Sequence, residues 1–444
     1  MEKIVFFFPW KELSGGPFYL ADIAQDLAKD VNYDVYYVDY PDGIAAKYLK
    51  CPKVKIVPYG FHESFLNNNR CVLVTPIYCA GHVPVLQDES RILFLNWHNY
   101  CITSLINTWK IKRDLQQFLF MVYRTQSVFF LDAAHRAAQN EYVYPKGAYE
   151  FNEEYVPIVI KTDIQSKNRR SIVHKTLNLA VLGRLTVDKA FSVLNLLRCL
   201  EDSVICTPVK IYIIGDGEAK GILDNYLSTS SLDVEFVGVL SGEALNKFLE
   251  SNVDVLFGMG RSIFEGAIRK IPSVIIPHNF EEFSCDRFTY LHETKGYALG
   301  WYDTQIEAIG VSYHSIEEVI NTLANVQIRE KYGNEDFQYT YEKHRSNVAQ
   351  FCWAVANTNL KYKEFKALAK KQGIVRKLGI PIAKVVSSFD ERNRVIMLFG
   401  IKSGLEYHVE DNVGTFYIFN KKIDFLTIEQ QYDRKKIRFK RILR

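Results

Sequence analysis

Two cations five residues apart, Arg184 and Lys189, stand in the stretch LAVLGRLTVDKAF (Leu179–Phe191). An apolar run that reads as a buried strand ends at Gly183. Arg184 follows at once, and Lys189 comes one helical turn into the next element. A planar guanidinium fork and a mobile ammonium placed this way suit a diphosphate, whose charge they would neutralise. The same pair would also serve as solvated surface cations, so the neighbouring loops have to decide between the two readings.

Those loops are of one kind. Ser14-Gly15-Gly16-Pro17 follows the first apolar run and opens a helical pattern, and its glycines let backbone approach a phosphate or a sugar. YIIGDGEAKGIL, VEFVGVLSGEAL and VDVLFGMGRSIFEGAIRKIPSVI each close a strand-like run with a glycine-containing turn. RILFLNWHNYC ends in Trp97, His98, Asn99 and Tyr100, an aromatic and polar group of the sort that faces a cleft. His98 is a candidate general base there, or a histidine bonded to backbone. Asp132 and His135 in FLDAAHRAAQ are weaker candidates, Asp132 reading first as a helix cap. Glu281 and Glu282 follow IIPHN at another strand end.

Strands and helices must bring these loops to common sheet edges. KIVFFFP, then a helical pattern through Leu20, Ile23 and Leu27, then DVYYVDYPDG make a βαβ unit, the building block of parallel sheets covered by helices. VLVTPIY, RILFLNW and SVFFLDA continue the series, with a helix expected over 103–119. The polar, basic stretch 161–175 reads as a connection between domains. Beyond it LNLAVLG, VKIYIIGDG, VEFVGVL, VDVLFGMG and PSVIIP alternate with helical patterns. The fold class is therefore α/β with two doubly wound, Rossmann-like domains, whose ligands would sit at the carboxyl ends of the strands. The domains are expected over 1–165 and 176–330, with an appendage over 331–444.

Composition narrows the class of protein. With 444 residues, two domains and an appendage are the natural division, and a 48% apolar, 24% charged chain is that of a globular protein. Apolar runs such as KIVFFFPW are too short to cross a bilayer, and MEKIVFFFPW reads as a first strand in place of a signal peptide. The eight cysteines contain no C-x-x-C pair, which suggests neither a zinc cage nor a disulfide framework. The reading is a cytosolic protein, with no metal and no cofactor.

The ordered series GRLTVDK, IIGDGEAKGIL, VEFVGVLSGEALNKFLESNVDVLF and FEGAIRKIPSVIIP resembles the donor-binding domain of GT-B glycosyltransferases, particularly those of the glycosyltransferase family 4 type. The N-terminal SGGPFYLADIAQDLAKDVNYDVYYVDY resembles that family's glycine-rich first loop and helix. This likeness covers about residues 1–330. It implies two facing Rossmann-like domains, an acceptor bound by the first and a nucleoside-diphosphate sugar by the second. It also implies that Arg184 and Lys189 meet the donor diphosphate beside Gly183 and that Glu265 accepts hydrogen bonds from the ribose hydroxyls. Gly260, Arg261 and Ser262 would offer amides at a helix start to the pyrophosphate or sugar, His98 would touch the donor sugar, and Gly15 and Gly16 would approach the donor. One departure is visible: where the common pattern has a sugar-contacting glutamate, eight positions before Glu265, this chain has Phe257.

The tail differs electrostatically. Residues 331–444 hold 23 Lys and Arg against 12 Asp and Glu, whereas the first 330 hold 32 against 39. YKEFKALAKKQGIVRKLGIPIAKVV reads as a basic amphipathic stretch, and RKKIRFKRILR closes the chain with seven cations. Residues 361–444 are thus expected to meet an anionic membrane surface, on the inner face of the plasma membrane, and not nucleic acid. The resemblance also implies a late helix, over Tyr339–Leu360, that crosses back to the first domain. The function so implied is sugar transfer to a glycan or lipid-linked glycan in surface polysaccharide synthesis, metal-independent and with retention of configuration. A nucleotide-sugar epimerase of the same fold and a catalytically silent scaffold remain open beside it.

Overall fold

The computed structural model describes residues 1–426 apart from 13, 99–100, 102–104, 106–111, 142, 144, 146, 161–175, 303–304, 370–373, 378–379, 388–393, 399–400, 403, 409–412 and 419–420. The chain forms two compact units, residues 1–96, 100–128 and 354–444 on one side of the division and residues 97–99 and 129–353 on the other. The stretch 161–175, read as the connection, and residues 427–444 of the tail lie outside the described residues.

The first unit is built on β1 (Glu2–Phe7), β2 (Tyr33–Asp39), β3 (Lys55–Pro58), β4 (Val72–Pro76), β5 (Arg91–Asn96) and the start of β6 (Val128–Phe130). Their sheet order is β3-β2-β1-β4-β5-β6, the Rossmann order, and β1 runs parallel to both neighbours, with Val5 opposite Tyr36 and Leu73. Apolar residues fill β1 and β4 because both faces of a parallel sheet are covered. On one face the helix Gly15–Leu27 buries Leu20, Ile23 and Leu27, as its spacing predicts. β3 was not evident in the sequence: it is a largely exposed edge strand of only four residues. The helix expected over 103–119 is found at Lys112–Arg124, residues 103, 104 and 106–111 of the expected range lying outside the described residues. The chain returns to this unit late. Ile92 N–H donates to Leu360 O, and the Arg91 guanidinium donates to Val355 O and Thr358 O.

The second unit holds β7 (Leu177–Leu182), β8 (Val209–Ile214), β9 (Val234–Gly238), β10 (Val255–Gly258), β11 (Ser273–Ile275) and β12 (Thr289–Tyr290), in the order β12-β11-β10-β7-β8-β9, again the Rossmann order. Only β12 is antiparallel to its neighbour. Alternate residues of these strands face opposite layers. Leu179, Val181, Ile211, Ile213, Val255 and Phe257 pack with the helices Val187–Asp202 and Ile316–Leu323. Ala180, Tyr212, Ile214 and Leu256 pack with the helix Gly242–Asn252. Each such fully buried aliphatic side chain stabilises the sheet by about 1.5–3 kcal/mol.

Two boundaries differ from expectation. The first domain ends inside β6 and not at 165, because Phe129–Ile160 joins the second unit: Ala133 N–H donates to Gly296 O and Ile160 N–H to His344 O, and Ala134 packs with Trp301. The segment 339–360 is not one helix. Val326–Lys343 and Val348–Asn357 are separated at 344–347, where the His344 ring donates to Ile158 O and the Asn347 amide to Pro157 O. In the tail, the helix Tyr362–Ala369 precedes two antiparallel sheets, one of four strands within 374–402 and one of three within 404–426. Among the described residues, no helix is long and apolar enough to cross a membrane, and no group of side chains is placed to hold a metal ion.

Candidate functional site

At the carboxyl ends of β7 and β8 two loops pack backbone to backbone. Gly183 N–H donates to Ile214 O (3.1 Å), Leu185 N–H to Asp216 O (3.0 Å) and Ala219 N–H to Leu185 O (3.1 Å). Gly215 has φ +141°, and a Cβ there would stand 2.0 Å from Gly183 O; a Cβ on Gly217 would stand 2.4 Å from Leu185 O. The GDG of the sequence is therefore demanded by the neighbouring loop. Across it lies Lys189, in the first turn of Val187–Asp202, whose side chain folds back so that a Cβ on Gly183 would be 3.6 Å from Cδ and 3.8 Å from Nζ. Burial holds the Lys189 ammonium below the ordinary lysine pKa; Asp188 opposes that shift and the Arg184 charge adds to it. Lys189 and Gly183 line a small pocket with Ile213, Gly258, Met259 and Ile276.

Three histidines of the same unit feel one another's charge, and two of them, His98 and His278, feel Asp188 beside this cation. His98, just after β5, is grouped with the second unit; burial, with the His135 and His278 rings adding to it and Asp188 opposing, lowers its pKa to about 3. His278, three residues past β11, is lowered to about 4, again by burial first and against the pull of Asp188. Both rings are thus neutral at physiological pH, able to donate or accept a hydrogen bond and poorly suited to take a proton. His135 is held by Asp132, whose Oδ1 accepts from His135 N–H (2.9 Å) and lies 2.6 Å from ring Nδ1. Asp132 is the N-cap of Ala133–Asn140, as its sequence position predicts.

The other predicted residues are placed less uniformly. Arg184 is exposed and pairs with Glu218 across the two loops at 3.3 Å, a contact that water and salt weaken easily. Glu265 opens the four-residue helix Phe264–Ala267, where Arg269 donates to its Oε2 (2.8 Å) and its carbonyl (2.6 Å). Two expectations at this turn need correcting. The Gly260 amide donates to Leu299 O (2.6 Å), so it is already paired and does not serve as a free anion donor. The expected helix from Ser262 is a 3₁₀ turn, Gly260–Ile263, followed by that single α-turn, which carries little dipole. Ser262 Oγ donates to Met259 O, and Arg261 is exposed. Gly15 and Gly16 open the helix Gly15–Leu27 in the first unit, and a Cβ on Gly15 would meet nothing within 4 Å. Glu281 and Glu282 are exposed, and Glu282 pairs with Arg198.

Phe257 lies within β10 with its side chain fully buried against Phe288, the ring centroids 6.2 Å apart and nearly perpendicular. Its place in the sequence is thus a core position, closed to ligand. Sequence reasoning passed over His278 and Asp188. The only signal for either was its place at a strand's carboxyl end or a helix's first turn, since both belong to otherwise ordinary stretches.

No family model matches the sequence, and no curated protein matches it. Similar solved structures do exist. The Anabaena protein HepE in complex with UDP is 12% identical, with 80% of this chain and 100% of that one covered and a TM-score of 0.49. WaaG, a glycosyltransferase involved in lipopolysaccharide biosynthesis, is 14% identical over 80% of this chain and 100% of its own, with a TM-score of 0.46. The N-terminal domain of Candida albicans trehalose-6-phosphate phosphatase is 11% identical, with 81% and 97% covered and a TM-score of 0.50. At such identities the last of these likenesses is one of fold, and it agrees with the two sheets of Rossmann order found here: the chain is an α/β protein of two Rossmann-like domains.

Proposed function

We propose that this protein is a glycosyltransferase that moves a sugar from a nucleoside-diphosphate sugar to a glycan or lipid-linked glycan acceptor in polysaccharide synthesis. The observation that carries the reading is Lys189, folded over Gly183 beside a pocket at the carboxyl ends of β7 and β10, with two neutral histidines in electrostatic range of the adjacent Asp188. A partly buried ammonium acts on developing charge far more strongly than one in water. Lys189 would stabilise the departing diphosphate, and Arg184 would exchange its weak pair with Glu218 for a phosphate oxygen. Glu265, steadied by Arg269, would take the ribose hydroxyls. With its pKa near 3, His98 is a poor base, which favours hydrogen bonding to the sugar and accords with a retaining reaction. The basic tail would hold the enzyme at an anionic membrane surface.

Thermal stabilisation by UDP, GDP, ADP and CMP tests the donor site. At a free ligand concentration 100-fold above its dissociation constant, one nucleotide should stabilise the protein by about 2.7 kcal/mol. Lys189→Ala and Arg184→Ala should lose most of that effect. Failure of all four nucleotides would overturn the reading.

The His135–Asp132 pair, with Oδ1 2.6 Å from ring Nδ1, favours one second reading, epimerisation of a nucleotide sugar. Incubation of the sugar nucleotide without acceptor in deuterated water separates the two. An epimerase would place solvent deuterium in the recovered sugar, and a transferase would not.

A further inference from the structure

His278 is fixed from both sides. Its backbone N–H donates to Trp301 O (3.0 Å), and its ring lies against that of Tyr302, centroids 4.7 Å apart. Gly300 backs it closely: a Cβ there would stand 3.5 Å from His278 Nδ1 and 3.3 Å from Met259 Cβ. Nδ1 is buried and has no hydrogen-bond partner among the described residues.

The neutral ring carries one proton. On the sealed Nδ1 edge an N–H would be left without an acceptor, at the full cost of its desolvation. The proton therefore belongs on Nε2, which makes this histidine a donor on its other edge. Met259 and Ile276, which flank β10 and β11 next to it, line the same pocket as Lys189. Because the sheet runs β11-β10-β7, His278 follows a strand two places away from the one that ends at Gly183. Phe257 is turned into the core, so β10 sends no carboxylate into this space.

We propose that His278 reads the sugar portion of the donor, giving a hydrogen bond from Nε2 to one of its oxygens. This inference rests on the donor-site reading above and names the residue that recognises the transferred group. It is a specificity role: the histidine holds the sugar and takes no proton from it.

The test compares dissociation constants for the nucleoside diphosphate that binds and for its glucose, galactose, N-acetylglucosamine and glucuronic acid conjugates, in wild type, His278→Ala and His278→Gln. The wild type should bind one conjugate more tightly than the bare diphosphate. His278→Ala should lose about tenfold of that advantage with its affinity for the bare diphosphate unchanged, a tenfold change being ~1.4 kcal/mol. His278→Gln, which can place an N–H near the same point, should recover part of it. An unchanged advantage in His278→Ala, or an equal loss of bare diphosphate binding, would overturn the proposal while leaving the donor site standing. A wild type that binds none of the diphosphates would overturn both.

Discussion

The backbones of Gly183 and Gly215 meet so closely that a Cβ on Gly215 would stand 2.0 Å from the Gly183 carbonyl oxygen. Gly215 also holds φ at +141°, where only glycine is at ease. Gly215→Ala should therefore cost several kcal/mol of stability, on the scale of a steric clash added to backbone strain, and should weaken nucleotide binding with it. Gly183→Ala meets only ordinary contact with Lys189 and should cost less than about 1 kcal/mol. Denaturant unfolding of the two variants checks the contrast, and equal losses would contradict it.

Glu265 and Arg269 give a second prediction. Removing the proposed ribose acceptor, as in Glu265→Gln, should weaken nucleoside diphosphate binding about tenfold or more, the size of a charge-assisted hydrogen bond, yet leave inorganic pyrophosphate binding unchanged. Titration calorimetry with both ligands is the measurement. Parallel losses for the two would place Glu265 elsewhere than at the ribose.

Acid should loosen the second unit. His98 is held near 3, and His278 and His344 near 4, each chiefly by burial. An unfolded histidine takes its proton near 6.5. Between those values the unfolded chain binds more protons than the folded one, so stability rises with pH: it is full above about 6.5 and falls as pH drops toward 4. Each such histidine contributes at most about 1.4 kcal/mol per pH unit. His292 works the other way. Burial opposes its charge, but the hydrogen bond and charge of Asp336 raise its pKa, so its contribution is lost as pH rises through that value. Urea midpoints at pH 7.5, 6.0 and 5.0 should fall in that order, and His344→Gln should flatten the trend. A midpoint independent of pH would contradict it.

The tail prediction has to respect the fold. A cut near Lys331 would remove Val355, Thr358 and Leu360, which bond to Arg91 and Ile92, and would damage the first unit. Glutamine at Arg434, Lys435, Lys436, Arg438, Lys440, Arg441 and Arg444 is the cleaner change. At about 1 kcal/mol for each basic residue near an anionic surface, co-sedimentation with phosphatidylserine-containing vesicles should drop by more than tenfold. Unchanged sedimentation would remove the membrane role.

The alternation of strands and helices was legible because apolar runs covered on both faces leave little choice of element. The need for glycine in GDG could be suspected from the sequence, though its cause, the carbonyls of Gly183 and Leu185, lies in a neighbouring loop. Other features were set by contacts far away in the chain. Gly260 looks like a free amide until Leu299 arrives, and 339–360 looks like one helix until Pro157 and Ile158 claim His344 and Asn347. His278 carries no local pattern at all, and its meaning comes from Gly300, Met259 and Tyr302 packed around it.

The late return of the chain to β5 also orders events during synthesis. Every residue of the second unit up to Trp353 leaves the ribosome before Thr358 and Leu360, whose bonds to Ile92 and Ser127 complete the first unit. The half translated first is thus the half finished last. Until then the start of β5 waits with the Ile92 amide and carbonyl unmatched.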